Sequence, residues 1–155
     1  GGKALQLFRL SGKRTGVVVA LHNLACGHLG LGDGERARYF ALRSLAEGGG
    51  RDPTRAGITT TVLATGYHLS GDLDAALEAA RRAVAALPEG AARASALRCL
   101  ARVLAERGQV EEAQALAPED PWTSAWVGGE RSELPTWTFP GDHSTWRAAV
   151  ARALS

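Results

Sequence analysis

Apolar residues recur at intervals of three and four along most of the chain up to residue 117. That period predicts a succession of amphipathic helices and no strands. Between Arg14 and Leu31, one helical face carries Val17, Ala20, Leu21, Leu24, Ala25 and His28. Glu35 to Glu47 repeats the period, with Ala37, Phe40, Ala41, Ser44 and Leu45 inward. Further helices are expected over about Pro53–Ser70, Leu73–Leu87 and Gly90–Arg107, the last with Leu97, Leu100, Ala101 and Leu104 on its apolar face. A shorter helix with Val110, Ala113 and Leu116 begins at Gln109 and is cut off at Pro118.

The breaks have their own chemistry. Gly32-Asp33-Gly34, Gly71-Asp72 and Gly108 permit the turns between helices, and Gly48-Gly49-Gly50 ends a helix, since glycine tolerates the left-handed conformation at a helix C-terminus. Asp52-Pro53 is a helix start, with Asp as the cap and Pro where a missing N–H costs nothing. Pro88 stops the helix before it. Residues 3–10 carry Ala4, Leu7, Phe8 and Leu10 at helical spacing, and the two glycines of SGKRTG then interrupt the pattern. They read as the second half of a helical hairpin whose first half is absent.

The helices fall into copies. Leu24-Ala25-His28-Gly32, Leu63-Ala64-Tyr67-Gly71 and Leu100-Ala101-Leu104-Gly108 share one spacing, and an inward alanine follows five residues after each glycine: Ala37, Ala76 and Ala113. The turn glycines lie 39 and 37 residues apart, the extra length falling in the linkers GGGRDP and EGAA. Leu63, Ala64, Tyr67, Gly71, Ala76, Ala80, Ala83 and Pro88 make the stretch Thr59–Pro88 the most regular copy. In these positions the chain resembles the tetratricopeptide repeats, helical hairpins of about 34 residues. The resemblance covers residues 1–117. It implies an all-α fold, a right-handed superhelix of about three hairpins, since no single hairpin buries its own apolar face.

Residues 118–155 change character. Four prolines and three glycines in 118–142 exclude long helices. All four Trp lie between 122 and 146, so the segment is expected to pack as an irregular, Trp-rich tail. His143–Leu154 reads as a short terminal helix, with Trp146, Ala149, Val150 and Ala153 on one face. The short helix before Pro118 leaves the last hairpin open, so the tail is expected to cap it, with folding back into the groove or partner binding as the alternatives.

Composition narrows the classes of function. The net charge of +2 gives no electrostatic case for direct nucleic-acid binding. The 16 Arg against 2 Lys match the coding bias of a GC-rich genome as well as any phosphate site. No apolar run approaches the ~20 residues that span a bilayer, so no membrane role is expected. Cys26 and Cys99 have no paired spacing, which suits buried thiols in a reducing cytoplasm. The absence of Met suggests a processed chain or an excised portion of a longer one.

No catalytic set emerges. Gly30-Leu31-Gly32-Asp33-Gly34 follows a helix and not a strand, so it is a turn and not a nucleotide loop. Gly12-Lys13 lacks the remaining residues of a phosphate loop. His22 and Cys26 share one helical face at a spacing a metal could use, but no further ligands are in register, so neither metal nor cofactor is expected.

The resemblance implies instead a concave groove lined by the first helix of each hairpin. The positions that carry over are His22, Cys26 and Leu29, then Thr61, Thr65 and His68, then Arg98, Arg102 and Ala105. The chaperone-binding members' cluster of Lys, Asn and Arg is echoed only by Asn23 and the arginines. Arg98 and Arg102 read either as solvated surface or as a grip for an acidic peptide or the chain's own tail. The flavour and spacing of LFRLSGKRTGVVVALHNLACGHLGLGD are similar to the repeats of bacterial multidomain signal-transduction regulators. The expectation is thus a non-enzymatic, cytoplasmic protein- or peptide-binding module of a larger regulator. A homodimer through the terminal hairpins also fits. The alternatives are a small-molecule sensor domain, or an accessory domain of an enzyme whose catalytic part lies elsewhere.

Overall fold

The computed structural model describes residues 2–48 and 51–128. Among them the chain is all-α: seven helices joined by turns, with no strand. They are α1 (Gly2–Gly30), α2 (Gly34–Gly48), α3 (Pro53–Leu69), α4 (Leu73–Ala86), α5 (Ala91–Glu106), α6 (Val110–Leu116) and α7 (Pro121–Val127). Three sequential pairs form, α1 on α2, α3 on α4 and α5 on α6. Each pair meets the next through α2 on α3 and α4 on α5, and α1, α3 and α5 touch in turn. The short α7 packs against α5 and α6.

The turns within the pairs are built alike. Gly32, Gly71 and Gly108 hold φ of 75°, 83° and 89°, the left-handed region that glycine enters without steric cost. After each, the next residue donates its N–H to a carbonyl five residues back: Asp33 to His28, Asp72 to Tyr67, Gln109 to Leu104. The glycine N–H reaches three residues back, to Leu29, His68 and Ala105. This double closure satisfies carbonyls that a helix end leaves over. Acids then cap the starts: Asp33, Asp52, Asp72 and Asp120 accept the N–H of the third residue on. Each such cap is worth about 1 kcal/mol.

Small residues set the packing distance. Ala37, Ala76 and Ala113 are each fully buried, as are Ala25, Ala64 and Ala101 on the facing helices. The closest crossing is between α2 and α3. A methyl group on Gly34 would sit 2.6 Å from the carbonyl oxygen of Gly66, so only glycine lets the two backbones meet there.

The first helix departs from expectation in two ways. It runs unbroken through Ser11-Gly12-Lys13-Arg14-Thr15-Gly16, where an interruption was expected. A glycine within a helix costs only about 1 kcal/mol relative to Ala, which the length of α1 absorbs. Its inward stripe is also displaced. Val18, Leu21, Ala25 and Leu29 are buried, while Val17, Ala20 and Leu24 are exposed. The helix is apolar around more than half its circumference, so periodicity alone does not choose between the two stripes. Contact with α2 and α3 does.

Beyond Pro118 the backbone is helical again at α7, and Trp122 and Trp126 belong to the same core cluster as Leu63 and Leu100. The terminal helix expected over His143–Leu154 lies outside the described residues.

Candidate functional site

The inner face of α3 is the best-defined surface among the expected groove positions, and it is closed. Every residue from Thr59 to Gly66 is buried. Its hydroxyls are satisfied locally: Thr60 donates to the Ala56 carbonyl, Thr61 to Gly57 and Thr65 to Thr61. Threonine on a buried helical face is tolerable because such back-bonding removes the penalty of an unpaired polar group. The Thr65 hydroxyl also lies 3.7 Å from the Cys99 sulfur of α5.

At the end of α3, His68 is fully enclosed. Its Nε2 lies 2.6 Å from Oε2 of Glu106 on α5, and its ring stands edge-on to Trp122 of α7, centroids 6.1 Å apart. Trp122 in turn stacks on Trp126 at 5.1 Å, with the ring planes 10° apart.

Beside this cluster, Arg102 makes a two-pronged ion pair with Asp120. Nε donates to Oδ2 at 2.9 Å and Nη2 to Oδ1 at 2.7 Å. Both side chains are buried, 5% and 1% exposed, so the pair is formed out of water. The guanidinium also lies over the Trp122 ring, 5.8 Å from its centre. Asp120 has a third role, accepting the backbone N–H and the hydroxyl of Thr123. Burial pushes its carboxyl up, but the hydrogen bonds and charge of Arg102, with those of Thr123, outweigh that and hold it below its ordinary value.

The expected groove residues therefore divide. Thr61, Thr65, His68 and Arg102 are buried, so in this structure they line a filled interface and not an open trough. Thr65 meets Cys99 of α5, while α7 covers His68 and Arg102 through Trp122 and Asp120. Arg98, the other arginine of the pair, is half-buried and donates to the Ser95 hydroxyl. His22 and Cys26 sit on α1, half-buried. His22 Nδ1 is hydrogen-bonded to the Thr59 hydroxyl at 3.0 Å, and its Nε2 lies 3.5 Å from the Cys26 sulfur. Burial, and then the Arg55 charge, lowers the affinity of His22 for a proton. Leu29 and Ala105 are core residues.

The thiols are poorly placed for chemistry. Burial raises the Cys26 pKa, and it pushes Cys99 up to about 11 against the opposing influence of Thr65 and Arg102. Both remain thiols near neutral pH, whereas nucleophiles and metal ligands are thiolates. Among the described residues no three His, Cys, Asp or Glu side chains gather as a metal site would require. Nor is any helix there long and apolar enough to cross a membrane.

Asp120, Trp122 and Glu106 were not anticipated as partners of the groove positions. One signal was present: Asp120-Pro121 repeats the Asp52-Pro53 helix start. A second feature stands apart from this face. A cleft of about 160 Å³ opens among α1, α2 and the start of α3, with Val18, Leu45 and Ala56 in its wall and Arg14, Arg51 and Arg55 around it. Compared with known protein families, curated proteins and solved structures, the chain matches none.

Proposed function

We propose that the chain is a non-enzymatic protein-binding module of the helical-repeat class, the repeat portion of a larger regulator. Its three helix pairs form a right-handed superhelix, and its inner face recognises a segment carrying an acidic residue beside an aromatic one. The observation that supports this reading is the two-pronged Arg102–Asp120 pair with Trp122 under the guanidinium. The first helix of the third pair already holds such a segment, supplied by the chain itself. Fork-shaped recognition of a carboxylate is what a guanidinium does best. The high thiol pKa values and the purely structural use of the threonines also fit a binding role.

The test is affinity capture on the intact chain, followed by mass spectrometry and a peptide scan of each captured protein. Arg102→Lys keeps the charge but loses the fork. The expected result is a captured acidic–aromatic segment whose affinity falls about tenfold in Arg102→Lys, as loss of one charge-assisted hydrogen bond predicts. Capture that is indifferent to this substitution would remove the inner face from the reading.

A further inference from the structure

The cleft among α1, α2 and α3 has a size, a wall and a charge that together define a ligand. Its volume of about 160 Å³ is close to the ~150 Å³ of an aliphatic cavity that accommodates benzene. Val18 and Leu45 supply aliphatic surface, and Ala56 contributes only a small methyl on the α3 side.

Two of the three hydroxyls that line it are already engaged. Ser44 donates to the Val18 carbonyl at 2.8 Å, and Thr59 is bonded to His22. A neutral polar ligand would therefore find little to bond with. The rim is different. Arg14, Arg51 and Arg55 face Glu47 and Asp52, an excess of one positive charge. Asp52 is taken up by the Arg55 ion pair and by capping α3. Arg14 and Arg51 have no carboxylate within ion-pair distance among the described residues, and both are solvent-exposed and able to swing over the opening.

We propose that this cleft binds a small monocarboxylate whose body is an aromatic ring or a branched alkyl group of about that size. The apolar body enters between Val18, Leu45 and Ala56, and the carboxylate stays at the mouth, paired with Arg51 and Arg14. The inference does not depend on what the inner face recognises, since α5 and α7 contribute nothing to the cleft.

The experiment is a titration of the full ¹⁵N-labelled chain with sodium benzoate, followed by amide chemical shifts, with benzyl alcohol as the uncharged partner of the same shape. The expected result is saturable shifts at low-millimolar benzoate, centred on Thr15, Ala56 and Thr59. Benzyl alcohol should bind several-fold more weakly. Arg51→Gln, at an exposed position, should weaken benzoate about threefold or more without changing the alcohol. Ala56→Leu should abolish both by filling the space. Three results would each overturn the proposal: no saturation, shifts centred on α5 to α7, or benzoate and benzyl alcohol binding equally with Arg51→Gln silent.

Discussion

Leu24 on α1 and Leu63 on α3 occupy the same place in the repeated pattern, 39 residues apart, and meet opposite fates. Leu63 is 5% exposed and Leu24 is 47% exposed. Gly27 and Gly66 share a register in the same way. Gly66 lies against Gly34 and Arg38 of α2, whereas Gly27 has open space where a side chain would project. The backbones around these residues are equally helical and end in the same glycine turn. What separates them is flanking. Helix α3 has a pair before it and a pair after it, while among the described residues α1 is packed by α2 and α3 alone. Local sequence builds the helix, and neighbours decide which of its stripes becomes core.

The sharpest test of flanking lies at the far side, where α5 is covered by α7. Asp120→Ala leaves the Arg102 guanidinium buried without its fork partner and removes a helix cap, so we expect a loss of about 3–5 kcal/mol by urea denaturation. A loss below about 1 kcal/mol would show that α7 does not hold α5. The leucine pair comes next. Leu63→Ala should cost about 2–4 kcal/mol, and Leu24→Ala under about 1 kcal/mol. Equal losses would mean that the outer stripe of α1 is covered in solution.

The glycines give a smaller effect with a change of sign. Gly34→Ala must push α2 and α3 apart and should cost about 1–3 kcal/mol. Gly27→Ala meets nothing and should stabilise by up to about 1 kcal/mol through helix propensity. A pH effect is expected from His22. Its pKa is lowered in the folded chain from the ordinary 6.5, so the unfolded chain binds the proton more readily. Stability should therefore fall as pH drops below about 6.5, and level off below the folded value. His22→Gln should flatten that slope between pH 7 and pH 5. An unchanged slope would assign the effect to other groups.

Much of this architecture was legible in advance. The three turn glycines, the inward alanines and the limits of α2 to α6 are local facts. They depend on positive φ, small size and capping chemistry, which a sequence displays directly. The identity of the buried stripe on α1 is not local, and two apolar stripes on one helix look alike until a neighbour covers one. The candidate site was harder to read. Thr61, Thr65 and His68 were found as one face of a helix and Arg102 on the next, but the cover over His68 and Arg102 comes from α7, a seven-residue helix behind a proline. Asp120 is separated from Arg102 by 18 residues, and only the fold brings them together. The cleft lined by Arg14 and Arg51 leaves no periodic trace at all.

Asp120 starts α7 by capping it and also anchors α7 to α5 through Arg102. A seven-residue helix has no standing of its own in water, far below the ~12–15 residues at which isolated helices become even marginal. One carboxylate thus ties the existence of the helix to its attachment. Swinging away as a rigid arm is not expected of so short a helix. Drawing Arg102 off Asp120 is therefore expected to loosen the start of α7 together with its hold on α5, and to weaken the packing of Trp122 with it.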